Sequence, residues 1–268
     1  MSKKKRLDIA LYERGLCETT EKAKAYIMAG EVFVNDQKEI KPGTQVKDKD
    51  VLEHRSKSLK YVSRGGYKLE KALNVFSIDI NDMICMDVGA STGGFTDCML
   101  QNGAKKVYAI DVGYAQLSWK LRKNPKVISL ERTNFRYITA KEVPEQIEFA
   151  SIDVSFISLN LIFPVLFNML KDRAKAVCLI KPQFEAEREK VGDKGVVRET
   201  AVHVEVLEKT VEYAMNSKFD VLGLDFSPIK GPNGNIEFLM YIQKGQGKNL
   251  LSIKAEHVVK SSYNELGG

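Results

Sequence analysis

Three carboxylates and one lysine each end an apolar run of the kind that forms a buried strand. Asp87 ends the first of these runs, Asp111 the second, Asp153 the fourth and Lys181 the fifth. The carboxyl ends of parallel strands meet at one edge of an open sheet, and ligands bind at that edge. The sequence therefore predicts one rim with three carboxylates and a lysine. Taken singly, each residue has an ordinary alternative, because Asp87 and Asp153 could cap the following helices and Lys181 could extend from the sheet to solvent.

The first apolar run leads directly into a glycine-rich turn. Residues 87–97 read DVGASTGGFTD. A dinucleotide-binding fingerprint needs G-x-G-x-x-G, but Ser91 stands where its second glycine would be. A phosphate-binding loop needs a lysine before Thr96, and Phe95 stands there instead. The turn is therefore predicted to approach a nucleoside-like ligand without a strong demand for anion binding.

Asp111 lies about twenty residues beyond this turn, where an acidic residue accepts hydrogen bonds from a ribose diol. An acid at this position fits either a nicotinamide cofactor or S-adenosylmethionine. The broken dinucleotide fingerprint favours S-adenosylmethionine, whose sulfonium and amino groups prefer carboxylates and backbone carbonyls to anion-binding amides.

From residue 83 onward, strand, turn and helix patterns alternate. This rhythm predicts a mostly parallel sheet with helices on both faces. The last two strands are joined by nine residues, 227–235, which are too few for a helical crossover and predict an antiparallel hairpin at the sheet edge. Strand candidates are 83–88, 106–111, 126–130, 148–155, 175–181, 219–226 and 236–242, and helix candidates include 94–102, 115–123, 158–170 and 202–216.

The N-terminal part has a different organisation. Apolar residues at helical spacing predict a first helix ending at Gly15 and a second, capped by Thr19 or Thr20, ending at Gly30. The stretch EVFVNDQKEI alternates around Asn35-Asp36 and predicts a hairpin, and another short strand follows near VLEH. Together these patterns predict a small α+β module.

The positive charge of the chain is concentrated in this region. Residues 1–71 hold 17 Lys and Arg against 11 Asp and Glu, so their balance equals the +6 net charge of all 268 residues. Such an asymmetry predicts an anionic partner, and nucleic acid is the leading candidate. Arg6 before the first helix, with Lys22 and Lys24 on the second, could form the basic face. A lysine-rich surface that simply faces solvent is the alternative.

The module resembles the small RNA-binding module of a ribosomal small-subunit protein, pseudouridine synthases and tyrosyl-tRNA synthetases. The resemblance is carried by RLDIAL, by KA-x-x-x-I-x-x-G-x-V-x-V-N between Lys24 and Asn35, and by PGTQV. It implies that residues 1–60 bind RNA, and the basic linker at 61–66 adds Arg64 to the expected contacts.

Over nearly its whole length the chain resembles the TlyA, or hemolysin A-type, family, which joins such a module to an FtsJ-like methyltransferase domain, here 67–268. This resemblance implies a Rossmann-like, seven-stranded α/β fold and a ribosomal RNA ribose 2′-O-methyltransferase that uses S-adenosylmethionine, with cytidine as the expected nucleotide and either ribosomal subunit as substrate. The motifs are SRGGYKLEKAL (63–73), DVGASTGGFTDCML (87–100), AIDVG (109–113), LERTNFR (130–136), SIDVSFISL (151–159), LIKPQFE (179–185), KGVVRE (194–199) and GPNGNIEFL (231–239).

The resemblance also implies roles for individual residues. The family's Lys-Asp-Lys-Glu tetrad falls on Lys68, Asp153, Lys181 and Glu237. Lys181 is the candidate base for the ribose hydroxyl, with its pKa lowered by the neighbouring Lys68 and by burial, while the two carboxylates hold the lysines and the ribose. Which lysine carries the proton stays open. The residues carried over to the cofactor are Asp87, Gly89, Ser91, Gly93, Asp111 and Asn134, with Asp153 as a further contact.

The sequence also argues against other classes of protein. The sequence offers no secretory signal, no apolar stretch of about 20 residues and no metal-ligand spacing among its 4 Cys and 3 His. We therefore expect a cytoplasmic monomer without a metal or membrane association. A secreted pore-former, which the family name suggests, would need a secretory signal, a membrane-spanning segment or a strongly amphipathic apolar helix, and the sequence offers none of these. An assembly factor that binds RNA without catalysis would not need the tetrad. A nicotinamide enzyme is disfavoured by the missing glycine.

Overall fold

The computed structural model describes residues 4–54 and 59–267, and it divides between Leu59 and Lys60 into two compact units. Residues 1–3 and 55–58 of the predicted domain 1–60 lie outside the described residues. Residues 61–66, predicted as a linker before a domain at 67–268, belong to the second unit. There Tyr61 is buried, and the Val62 amide donates a hydrogen bond to the Asp97 carboxylate at 2.9 Å.

The first unit packs two helices on short strands. The Thr19 hydroxyl caps the second helix by accepting a hydrogen bond from the Lys22 amide at 3.2 Å. Asn35 and Asp36 have φ values of 49° and 66°, as a tight two-residue hairpin turn requires, so the predicted hairpin is confirmed. The elements are β1 Lys4–Arg6, α1 Leu7–Glu13, α2 Thr20–Met28, β2 Val32–Val34, β3 Gln37–Glu39, β4 Gln45–Lys47 and β5 Leu52–His54.

These strands form two small sheets. In the described part of the unit, β2 pairs antiparallel with both β3 and β5, and β1 pairs with β4. The core is a single apolar cluster that the two helices share with β2, β4 and β5; its buried members are Leu7, Ala10, Leu11, Ala23, Ile27, Val32, Val46 and Leu52. The unpredicted β1–β4 ribbon has only three residue pairs, too few to leave a clear alternation in the sequence.

The second unit is built on a seven-stranded sheet of order β11-β12-β10-β9-β6-β7-β8. The pairs β6–β7, β7–β8, β6–β9 and β9–β10 are parallel, and β12 runs antiparallel to both β10 and β11. The predicted edge hairpin and the mostly parallel fold class are therefore confirmed. The strands are β6 Ile84–Val88, β7 Lys106–Ile110, β8 Val127–Leu130, β9 Ile147–Ile152, β10 Leu170–Ile180, β11 Phe219–Phe226 and β12 Phe238–Lys244.

Helices cover both faces of this sheet. Alternate residues of one strand belong to different apolar clusters, as Cys85 and Met86 of β6 do, because successive strand side chains point to opposite faces. Both faces of the sheet are thus buried, which explains why the strands appear in the sequence as continuous apolar runs. The helices are α3 Gly66–Val75, α4 Gly94–Gln101, α5 Trp119–Arg122, α6 Phe163–Met169, α7 Pro182–Glu185, α8 Thr200–Asn216 and α9 Ala255–Leu266.

Two predicted helices are shorter than expected. The helix predicted at 115–123 is reduced to α5, since Ala115 has a φ of 56° that no right-handed helix accommodates. The helix predicted at 158–170 is a 3-10 turn at Leu159–Leu161 followed by α6, which begins with Pro164 in its first turn. None of the helices in the described ranges is long and apolar enough to span a bilayer.

Candidate active site

The glycine turn after β6 approaches a neighbouring backbone very closely. Gly89 has a φ of 85°, and a Cβ atom there would lie 2.3 Å from the carbonyl oxygen of Asp153. The Asp153 amide in turn donates a hydrogen bond to the Val88 carbonyl at 2.9 Å. Glycine is therefore required for the ends of β6 and β9 to meet, and the backbone it approaches is that of Asp153.

Asp111, just beyond β7, is held against this turn. One of its carboxylate oxygens accepts a hydrogen bond from the Ser91 amide and the other from the Gly113 amide, both at 2.7 Å. Each oxygen keeps a second lone pair for a further donor. The carboxylate is thus fixed in orientation and still able to accept hydrogen bonds from a ribose diol.

A cavity of about 500 Å³ opens beside these residues. It is lined by five of the residues predicted for cofactor or catalysis, namely Gly89, Ser91, Asp111, Asn134 and Asp153. Apolar side chains such as Ile110 and Phe135 form other parts of its wall. This combination fits S-adenosylmethionine, because an adenine ring favours the apolar wall and a sulfonium, an amine and ribose hydroxyls favour the carboxylates.

Two of the predicted cofactor residues lie elsewhere. Asp87 is fully buried, and its carboxylate accepts hydrogen bonds from the Thr96 hydroxyl at 2.6 Å and the Ser151 hydroxyl at 3.1 Å. Gly93 directly precedes α4 with a φ of 95°, and a Cβ atom there would strike the Leu121 side chain. The Asp87 side chain and Gly93 therefore contact neighbouring elements of the unit and do not line the cavity.

The burial of Asp87 predicts a pH-dependent stability. Burial raises the pKa of Asp87 to about 7, although the Thr96 and Ser151 hydroxyls oppose the rise. The folded protein therefore binds this proton more tightly than the unfolded chain, and the resulting stability is lost as the pH rises through about 7. In Asp87→Asn this loss should be absent. We expect the free energy of unfolding of the wild type, relative to the variant, to fall by about 3 kcal/mol between about pH 5 and about pH 8. Chemical denaturation at several pH values measures this, and parallel pH curves for the two proteins would contradict it.

The predicted tetrad forms two ion pairs. The Lys68 ammonium of α3 lies 2.5 Å from Glu237 Oε2, and the Lys181 ammonium lies 2.6 Å from Asp153 Oδ1. The Lys181 ammonium also donates a hydrogen bond to the Ser155 hydroxyl at 2.9 Å. Each lysine thus faces a carboxylate rather than the other lysine. Ser155 was missed in the sequence, where its position two residues after Asp153 was the available signal.

Glu237 is the most deeply placed member of the tetrad. It is fully buried, and burial raises the pKa of its carboxyl while Lys68 opposes that rise. The charges of Asp153 and Lys181 also act on it, so the two pairs lie near each other. Its Oε1 atom has no hydrogen-bond partner in the described part of the chain.

The residues predicted to bind RNA are exposed, and two of them have partners. Arg6 forms a two-bond ion pair with the buried Asp8 carboxylate, with distances of 3.1 and 2.7 Å. Lys22 pairs with Glu18 on the preceding turn. The hydrogen bond from Arg6 and, to a smaller extent, the charge of Lys24 lower the pKa of Asp8. Arg64, in the second unit, is also exposed. Arg6 thus has a structural contact in addition to the role predicted for it.

A mostly parallel seven-stranded sheet, with a carboxylate-lined cavity beside a glycine turn, is typical of Rossmann-like methyltransferases that use S-adenosylmethionine. Comparison with protein families agrees, since residues 61–244 match FtsJ-like methyltransferase and residues 5–52 match the S4 domain. The chain belongs to the FtsJ-like methyltransferase family, with an S4 domain preceding the catalytic unit. The predicted RNA-binding type of module and the predicted cofactor are both confirmed.

Relatives match along nearly the full chain. YqxC of Bacillus subtilis, provisionally named an rRNA methyltransferase, is 51% identical over 97% of this chain and 93% of its own. TlyA of Mycobacterium tuberculosis, a 16S/23S rRNA (cytidine-2′-O)-methyltransferase, is 36% identical over 99% of both chains. A solved structure from Streptococcus thermophilus, provisionally named a hemolysin, shares 49% identity with a TM-score of 0.77 and covers 99% of this chain and 98% of its own.

Proposed function

We propose that this enzyme methylates the 2′-hydroxyl of a ribose in ribosomal RNA, with cytidine as the target nucleotide. The observation that carries the proposal is the position of Asp153, which lines the donor cavity and also pairs with Lys181. The candidate base therefore lies at the edge of the place where the methyl donor fits. The relative named for cytidine 2′-O-methylation supports the choice of hydroxyl and nucleotide.

The reaction transfers a methyl group to a poor nucleophile. S-adenosylmethionine supplies an electrophilic methyl carbon on a sulfonium. The ribose oxygen would take up this methyl group as the carbon–sulfur bond breaks and the donor leaves as the neutral thioether, and Lys181, as a neutral amine, would accept the proton of the hydroxyl. Asp153 and Ser155 orient this amine. Glu237 holds the Lys68 ammonium, and this pair positions the ribose.

The remaining assignments belong to the same proposal. Gly89, Ser91, Asp111 and Asn134 bind the donor, while Asp87 and Gly93 keep the turn in shape. Arg6, Lys22, Lys24 and Arg64 contact RNA phosphates. The enzyme works as a cytoplasmic monomer without a metal, and no group of three His, Cys, Asp or Glu residues within 4–54 and 59–267 is arranged to hold one.

Methyl transfer from labelled S-adenosylmethionine to ribosomal subunits from cells lacking this protein tests the proposal. Label at a phosphodiester that resists alkali is expected, because a methylated 2′-oxygen cannot attack the adjacent phosphate. Separated subunits and naked rRNA, assayed in parallel, identify the substrate particle. No label despite measurable donor binding would favour the alternative of an assembly factor that binds RNA without catalysis.

A further inference from the structure

Glu185 is a buried carboxylate that the mechanism above does not use. It ends α7, only four residues after Lys181, and is 8% exposed. Burial raises its pKa, and no lysine or arginine of the described residues lies within ion-pair distance of it. A buried carboxylate without a cation is unfavourable unless hydrogen bonds satisfy its oxygens.

Both oxygens of Glu185 are bound to the segment that follows β9. Oε2 accepts a hydrogen bond from the Ser158 hydroxyl at 2.7 Å, and Oε1 accepts one from the Leu159 amide at 2.8 Å. The same segment begins with Asp153 and contains Ser155, the two partners of Lys181. Two short stretches of chain are thus joined twice, once through Lys181 and once through Glu185.

The segment between these two attachments is strained. Phe156 has a φ of 62°, a left-handed conformation that is unfavourable for a residue with a side chain, and it is 90% exposed. Its ring contacts Phe184 at 4.8 Å between centroids. A strained and exposed stretch keeps one conformation only when its ends are fixed. Glu185 fixes the far end, and the Asp153 amide fixes the near end on β6.

We propose that Glu185 is a positioning residue for methyl transfer: its carboxylate holds residues 155–159 so that Ser155 and Asp153 stay against the Lys181 amine. The inference rests on the proposed function, in which Lys181 receives the proton. A shift of about 1 Å at a reacting group can lower a rate by about 100-fold, so a modest relaxation of this segment has a large effect on turnover.

Glu185→Gln tests the proposal because it keeps the size of the side chain and replaces one acceptor oxygen by an NH₂ donor. Glu148→Gln is the matched control, since Glu148 also accepts a backbone hydrogen bond, from the Ile84 amide at 3.0 Å, at the start of β6 away from the cavity. We expect kcat to fall between about 10-fold and about 100-fold in Glu185→Gln, with KM for rRNA within about 3-fold and kcat of Glu148→Gln within about 2-fold of wild type.

Ser158→Ala completes the test. If Glu185 acts through this segment, the two substitutions should not be independent. The double variant Glu185→Gln/Ser158→Ala should then lower kcat by a smaller factor than the product of the factors measured for the two single variants. A lower melting temperature for Glu185→Gln without a specific fall in kcat would show that Glu185 only stabilises the fold, and would overturn the proposal. So would separate kcat effects that multiply. A wild-type enzyme that places no label on rRNA would instead refute the proposed function, and the two failures are therefore distinguishable.

Discussion

Replacing Lys181 by methionine is expected to lower kcat for methyl transfer by about 1,000-fold while S-adenosylmethionine still binds. The Lys181 side chain is 11% exposed and lies 2.6 Å from Asp153 Oδ1. Methionine has similar length and no basic nitrogen, so it fills the space but cannot take the proton of the ribose hydroxyl. The activity that remains should reflect the positioning of donor and ribose alone.

Single-turnover transfer of labelled methyl to rRNA measures this loss, and calorimetric titration of the donor measures binding separately. Lys171→Met is the matched control, because Lys171 is on the same strand, β10, but is 57% exposed and pairs with Glu148. Its kcat should stay within about 2-fold of wild type. A Lys181→Met enzyme that retained more than about a tenth of the wild-type kcat would exclude Lys181 as the base and direct attention to Lys68.

Gly89→Ala should weaken donor binding by about 100-fold or more. The added Cβ would lie 2.3 Å from the Asp153 carbonyl oxygen at a φ of 85°. Backbone strain of about 3 kcal/mol, relieved only by moving the ends of β6 and β9 apart, corresponds to a loss of that size. Because Asp153 moves with its carbonyl, kcat should fall as well as affinity.

Gly15→Ala separates the two causes of this effect. Gly15 also has a positive φ, of 70°, but no atom lies within 4 Å of the position that a Cβ would occupy. It should cost only about 1 kcal/mol of stability and leave donor binding unchanged. Isothermal titration of the donor with both variants gives the comparison, and equal donor affinity in Gly89→Ala and the wild type would show that the turn does not shape the cavity.

Sequence patterns predict much of the scaffold, because its strands and turns are set by local chemistry. All seven strands of the large sheet were predicted, since burial on both faces leaves continuous apolar runs. The nine-residue connection at 227–235 excluded a crossover and fixed the antiparallel hairpin. Asn35 and Asp36 marked a turn because both tolerate positive φ. By contrast, α9 was not predicted, although its buried Ala255, Val258 and Val259 follow a helical spacing.

The contacts within the candidate active site are harder to predict from the sequence than the strands and turns. Strand ends predicted that Asp111 and Asp153 would meet at one rim, and they line the same cavity. Local sequence could not show that Asp87 points beneath the turn, because that depends on Thr96 and Ser151 from other elements. The Lys68–Glu237 pair joins residues 169 positions apart, and only family resemblance suggested it.

The place of β12 in the sheet bears on how the enzyme is made. This strand, which directly follows Glu237, lies between β10 and β11, so β10 has an unpaired edge until the β11–β12 hairpin arrives. During synthesis, domains form from the N-terminus onward, and the S4 unit can therefore fold while most of the sheet is still being translated. A nascent chain would then be able to hold RNA long before its active site closes. Its open β10 edge can pair with other chains, so the nascent chain is prone to aggregation until β12, which follows Glu237, has been made.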